Sequence, residues 1–256
     1  MKCIANLPAV DGLFPVGYGR GYVPRDYHSK PLGMLKFAKA GAPVKRLSSA
    51  EIMEAIKAKT AARSWVTDLC DRVGSHVKNQ QSSNYCWGHA PCRGMECQYV
   101  FSGGSPFVLA AFDPCAAIMG GSNSGGSGIT WVEWVAQNGV CVEALHKPMD
   151  FSSRRTPEQA ANAALHKIDA FDDLDPSDHE LIASYIINDV PVTVGVPAWW
   201  HEVLLTFLVI EGSDWYFGFD NSWSTSYGEN GRAVLHGAYS RFDEAGAIRS
   251  VTPSAT

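Results

Sequence analysis

A thiol, an imidazole and two side-chain amides stand at intervals that suit acyl transfer from an amide. Cys86 lies in Val77-Lys78-Asn79-Gln80-Gln81-Ser82-Ser83-Asn84-Tyr85-Cys86-Trp87, with Gln80 six residues before it. His201 heads an apolar run 115 residues after Cys86, and Asn221, in Asn221-Ser222-Trp223, stands 135 residues after it. A cysteine attacks a carbonyl well only as its thiolate. An imidazole can take the thiol proton and later give it to the leaving amine. An amide oxygen can hold that imidazole in one orientation. A glutamine amide and the cysteine's own backbone N–H can hold the oxyanion that develops in the transition state.

Each position has competitors. Of the eight histidines, His89 follows Cys86 by three residues and shares its helical face, whereas a cleft needs a partner from the opposite side. His146, His166, His179 and His236 fall in helices or loops with no strand start beside them. His201 alone precedes an apolar strand that leads through one hairpin to Asn221. Trp223, two residues beyond Asn221, can shield a His–Asn hydrogen bond from water, which strengthens it and holds one tautomer. Gln81 is the register rival of Gln80.

These stretches, in this order, resemble the papain-like (C1-type) cysteine peptidases. Val77 to Gln80 resembles the family's oxyanion-glutamine segment, and Cys86-Trp87 its nucleophile at a helix start. Gly125-Gly126 resembles the glycine pair along the substrate cleft, and Trp134-Val135-Ala136-Gln137-Asn138-Gly139 the helix end after it. Pro191-Val192-Thr193-Val194 resembles the strand before the histidine. Asn221-Ser222-Trp223, with Tyr227-Gly228-Glu229-Asn230-Gly231, resembles the asparagine turn. The likeness covers roughly residues 65 to 240. Its spacing is slightly compressed against the roughly 130–150 residues from cysteine to histidine and asparagine in that family.

The resemblance implies an α+β fold of two lobes, one helical and one β-rich, with the active-site cleft between them. It implies peptide-bond hydrolysis through a Cys86 acyl-enzyme, with His201 as acid and base, Asn221 orienting it, Gln80 at the oxyanion and Trp223 shielding the pair. Gly125, Gly126, Gly195, Trp199 and Trp200 would meet the substrate, a protein or peptide, and Gly128 would lie near the pocket. No metal and no organic cofactor is implied. There are departures. Only Trp199 and Trp200 separate Ala198 from His201, where relatives carry a long loop. Trp200 stands where a small acid is common, and Ser224 where a glycine is usual. A wide site is expected, its wall made of the two indoles and open to bulky apolar side chains. Secreted relatives carry a disulfide from a cysteine three residues before the nucleophile. That position is Ser83 here, and the usual partner position matches Cys115.

Composition bounds the rest. The 256 residues are 46% hydrophobic, enough for a sizeable core in one domain or two packed lobes. Charged residues are 18% and the net charge is −5 with no basic run, which argues against nucleic acid as a partner. No apolar stretch approaches the ~18 residues of a membrane span, so no membrane partner is expected. Lys2, Pro8, Asp11 and Pro15 interrupt residues 1–20, unlike a secretory signal. With Ser83, this predicts that Cys3, Cys70, Cys86, Cys92, Cys97, Cys115 and Cys141 are reduced thiols of an intracellular, cytoplasmic protein. Cys92 and Cys97 have no second pair of metal-ligand spacing near them.

The elements that must position these residues follow from period and punctuation. Residues 1–60 read as an N-terminal arm and short helix, and 61–256 as the peptidase-like domain. Gly17-Tyr18-Gly19, Gly21-Tyr22, Pro24 and Pro31 punctuate the arm. Ser48 and Glu51 form a capping box for a helix with Ile52, Ala55 and Ile56 on its apolar face. Cys86 opens a helix expected to kink at Pro91 and restart near Arg93. A second helical piece is expected over 105–115, a glycine-rich loop over 120–128, and helices over 129–138, 156–168 and 180–188, the last capped by Asp178. An acidic turn is expected over 172–178. Strands are expected over 190–196, 203–210 and 215–219.

Two other functions use the same features. A papain-fold component of a large particle such as a virion would use the arm for protein assembly. Acyl transfer of transglutaminase or isopeptidase type would use the same triad. An arm lying against a neighbouring chain favours assembly, and an arm filling the cleft favours a latent enzyme.

Overall fold

The computed structural model describes residues 17–35, 37 and 43–252. Cys3 and the first sixteen residues of the predicted arm lie outside the described residues. Helices α1 (Ser49–Ala62), α2 (Val66–Arg72), α3 (Cys86–Phe101), α4 (Phe112–Ile118), α5 (Gly128–Asn138) and α6 (Pro157–Ala163) precede strand β1 (Ile168–Leu174). Helix α7 (His179–Ile187) and strands β2 (Val192–Val196), β3 (His201–Glu211), β4 (Asp214–Asp220), β5 (Arg232–Val234) and β6 (Glu244–Val251) follow. The six strands form one antiparallel sheet in the order β1-β6-β2-β3-β4-β5. This is the expected α+β fold, with α3, α4 and α5 packed together in one lobe and the sheet, carrying α1 and α7, making the other.

Local chemistry explains the elements. Ser48 and Glu51 cap α1 reciprocally, Thr156 and Gln159 do the same for α6, and Asp178 caps α7. Val192, Val194 and Val196 of β2 share one core with Val203, Leu205 and Phe207 of β3. Ile52 and Ile56 of α1 are buried in that same core. Trp87, Phe112, Ile129 and Trp131 build a second core in the helical lobe. Helix α3 joins the two, with Gly94 facing Leu204 of β3 and Ile248 of β6. Buried Asp220 binds Arg93 of α3 and Arg232 of β5, and Arg232 reaches on to Asp71 of α2.

Several boundaries differ from the expectation. Helix α3 runs through Pro91 without a break. Pro91 removes one N–H near the start of a helix that is buried along almost its whole length, so packing outweighs the lost bond. Residues 105–111 are not helical, because Glu96 takes the Leu109 N–H and Leu109 bridges to Val142. The helix there starts only at Phe112. Helix α6 ends at Ala163 rather than at 168, and strand β1 takes Ile168–Leu174, so the acidic turn expected over 172–178 is confined to 175–178.

Candidate active site

The β3–β4 hairpin decides where the imidazole and amide stand. Its turn is Gly212-Ser213, so the first residue of β3 and the residue after β4 lie side by side. His201 Nε2 and Asn221 Oδ1 are 2.8 Å apart. The same Oδ1 accepts the Ser222 N–H at 2.8 Å, so it is the oxygen and Nε2–H is the donor. Nδ1 is therefore the bare lone pair, buried with no hydrogen-bond partner. Trp223 covers the ring at a 4.5 Å centroid distance, and Trp199 packs on it at 5.1 Å. Burial pushes the His201 pKa down to about 4, the Asn221 bond opposes that, and the Arg20 charge adds to it.

Cys86 opens α3 and is fully buried. The backbone amide of Glu202, the residue after His201, favours its thiolate, as do those of Gly21 and Trp87. This sets the sulfur beside the start of β3. Burial nevertheless pushes the thiol up to about 12, with the Glu202 charge adding to the rise. The depression expected of a helix start is outweighed by desolvation. His89 is not the partner, since its Nδ1 is 2.9 Å from the Tyr85 carbonyl within the same helix.

Gln80, not Gln81, is the buried glutamine of the pair. The Ser222 hydroxyl donates to its Oε1, which turns Nε2 outward as the donor. Nε2 donates to the Ser83 carbonyl at 2.8 Å and to the Gly19 carbonyl at 2.9 Å. Gly19 belongs to the N-terminal arm.

The arm threads the cleft. Tyr18 stacks near Trp223 at 5.8 Å. Gly21 packs so tightly on the Asn84 backbone that a Cβ there would overlap it, and its carbonyl accepts the Gly126 N–H at 2.8 Å. Gly125 lies against the same carbonyl. Tyr22 pairs with Gly126 as a parallel bridge, and its N–H donates to the Trp200 carbonyl at 3.2 Å. The Val23 N–H donates to the Gly126 carbonyl at 2.8 Å. Arg25 then locks the arm to β1, bonding both oxygens of Asp173 at 2.5 and 2.8 Å and the Lys30 and Pro31 carbonyls at 2.7 Å.

Gly125, Gly126, Gly195 and Trp200 thus all border the arm. Trp199 does not form a wall. It is fully buried behind His201 among Phe219, Trp223 and Tyr239, while Trp200 is 58% exposed. A one-residue step through the left-handed conformation of Trp200 separates the two fates.

Sequence reasoning missed an acidic cluster beside the site. Glu202 and Glu244 are the partners of Gly195 in the flanking strands, so acid, glycine and acid form one row across the sheet. The Ile129 N–H at the start of α5 donates to Glu244 at 3.1 Å, and Thr193 donates to Glu202 at 2.7 Å. Gly128 packs against the Glu202 carboxyl. Burial, with the neighbouring acid adding to it, pushes Glu202 well above the usual carboxylate range and Glu244 up to about 7. The one sequence signal was an acid at the second position of an otherwise apolar strand.

Comparisons place the fold among known structures. The chain matches xylellain, a cysteine protease from Xylella fastidiosa, at TM-score 0.60 and 15% identity over 91% of this chain and 97% of that one. It matches digestive procathepsin L 3 of the Tenebrio molitor larval midgut at TM-score 0.57 and 16% identity over 67% of this chain. It matches the ragweed cysteine protease Amb a 11 in its proform at TM-score 0.59 and 17% identity over 68%. The chain spans 65% and 63% of those last two chains. No family model matches, and no curated protein is significantly similar in sequence. The fold is papain-like. Among the described residues no cluster of acids, cysteines and histidines can hold a metal, and no helix is long and apolar enough to cross a membrane.

Proposed function

We propose that this chain is a cysteine peptidase held latent by its own N-terminal arm. The observation that carries this is the arm's path: the Gly21 amide faces the Cys86 sulfur while the Gly19 carbonyl occupies the amide of Gln80. The neighbouring residues supply every group that amide cleavage needs. With the cleft free, His201 Nδ1 takes the Cys86 proton and the sulfur bonds to the scissile carbonyl carbon. Gln80 Nε2 and the Cys86 N–H hold the oxyanion. The C–N bond then breaks, the imidazolium gives its proton to the departing amine, and water cleaves the thioester. With the arm docked, burial disfavours the charged form of both the Cys86 thiol and the His201 imidazole, and Arg20 further disfavours the imidazolium.

The arm's place in the cleft favours latency over assembly through the arm. Transfer to an acceptor other than water shares all steps up to the acyl-enzyme. The test is turnover of fluorogenic peptides by the full chain after the arm is loosened with mild denaturant, beside a Cys86→Ser control. Loosening should raise turnover and the control should abolish it. Peptide cleavage that survives Cys86→Ser would refute the assignment.

A further inference from the structure

Two thiols outside the candidate site face each other. Cys70 of α2 and Cys97 of α3 bring their sulfurs to 3.6 Å, 27 positions apart in the chain. Both are buried, in a small apolar cluster with Val66, Val100 and Leu204. Neither enters the chemistry proposed above. Apolar packing alone accounts for a buried thiol, but not for a guanidinium beside it. Arg93 lies one turn before Cys97 on α3, and Ser75 and Asp220 hold its guanidinium in place. The Cys97 hydrogen bond pulls the Cys70 thiol below its ordinary value, burial opposes this, and the Arg93 charge adds to the fall. The same hydrogen bond, with burial adding to it, pushes Cys97 well up. The pair is asymmetric, with one sulfur readied to attack and the other holding its proton.

We infer that Cys70 and Cys97 are a redox modification site, at which hydrogen peroxide converts the two thiols into a disulfide that closes a loop around Gln80 and Cys86. The Cys70 thiolate attacks one peroxide oxygen, the O–O bond breaks, and hydroxide leaves and takes up the proton that Cys70 gave up. Cys70 is then a sulfenic acid. The Cys97 sulfur attacks the Cys70 sulfur, the S–O bond breaks, and the hydroxyl leaves as water with the Cys97 proton. Two thiols are oxidised and one peroxide is reduced to two waters. From 3.6 Å the sulfurs need to close by only about 1.5 Å to reach the length of a disulfide. The oxidant's way in is short. Helix α2 has seven residues and ends at Arg72, and Val73 beside it is 45% exposed. Fraying of such a helix end is the local opening that admits a small uncharged molecule. The chain between α2 and α3 runs over 73–85 with no helix or sheet strand, carries Gln80, and leads into Cys86. A Cys70–Cys97 bond ties both ends of that segment together.

The test needs no turnover, so it stands apart from the peptidase reading. The full chain carrying Cys86→Ser, which removes the candidate nucleophile from the oxidation, is treated while folded with excess hydrogen peroxide. Free thiols are then blocked with N-ethylmaleimide in denaturant, and unreduced digests are mapped by mass spectrometry. A peptide linking Cys70 to Cys97 should form before any other linked pair and vanish after dithiothreitol. Tm should rise by about 10 °C on oxidation, as expected for a loop of this length in a chain of this size, and return on reduction. No linked peptide, another pair linked as fast, or an unchanged Tm after linkage overturns the inference. Dimedone, which traps sulfenic acids, tests the order of attack. In a Cys97→Ala chain the label should build up on Cys70, and in a Cys70→Ala chain Cys97 should be labelled at least ten-fold more slowly. Equal labelling overturns the assignment of Cys70 as the attacking sulfur. If either variant fails to fold, the linkage and Tm of the chain with both thiols decide the matter.

Discussion

Replacing Arg25 with alanine should open the cleft without touching it. In the Arg25–Asp173 pair both side chains are buried, at 0% and 2% exposure, and the Gly33 N–H adds a further bond to Asp173 at 2.8 Å. Removing one partner of such a buried pair costs about 3–5 kcal/mol, because the other charge stays buried and unpaired. That penalty applies only while the arm is docked, since an undocked arm leaves Asp173 to water. The whole penalty therefore weighs against the closed state. At about 1.4 kcal/mol per decade, even the lower figure shifts the closed-to-open ratio by roughly 100-fold or more. Cys86 alkylation by iodoacetamide should rise by that factor, or until it reaches the rate of a fully open cleft. Peptide mapping distinguishes arm release from unfolding, since the other five buried thiols should stay protected. A Cys86 rate within two-fold of wild type, or a uniform rise at every cysteine, would refute the view that Arg25 latches the arm.

Two other outcomes follow from the same geometry. In the Arg25→Ala background, Gln80→Ala should lower kcat/KM by roughly 100–1000-fold, the effect of losing one oxyanion donor; a near-normal rate would remove Gln80 from the mechanism. Glu244, whose pKa is raised to about 7, contributes stability that is fully present below the ordinary carboxyl pKa and is lost as pH rises through about 7. Glu244→Gln keeps the neutral form at every pH, so it should raise Tm relative to wild type at pH 8 and leave it nearly unchanged at pH 5. A pH-independent difference in a thermal-shift series would contradict the buried, proton-holding role.

The residues of the candidate site stood out in the sequence more clearly than the architecture around them. Cys86, His201 and Asn221 stood out because a thiol, an imidazole and a side-chain amide stand at the edges of apolar elements, and the hairpin after His201 could be read from its apolar runs and Gly212-Ser213. Strand β1 was hidden because Asp169, Asp172 and Asp173 look like turn residues until Asp172 meets Arg249 and Asp173 meets Arg25 from distant segments. Strand β6 sits between β1 and β2, yet Glu244, Gly246 and Arg249 gave it no apolar alternation. The Trp199-Trp200 pair reads as one feature in sequence, and a single left-handed residue splits it into a core ring and a surface ring. The path of the arm was written only in its glycines. Gly19 and Gly21 are close-approach residues, and what they approach is set by tertiary contacts that no local pattern contains.

Helix α1 gives the arm a property that no free inhibitor has. Ile52 and Ile56 fasten α1 into the sheet's core, and the arm is covalently continuous with it. The blocking segment is thus a tethered ligand, present near its site at an effective concentration fixed by the connecting chain and typically in the millimolar range for short tethers. Diluting the protein does not release it, and an excess of weak substrate has to compete with a rival that never diffuses away. On the proposed latent-peptidase reading, waking by the arm's own opening is a first-order event, and its lag should be the same at nanomolar and micromolar protein; a lag that shortens with protein concentration would instead point to a cut in the tether made by a second copy.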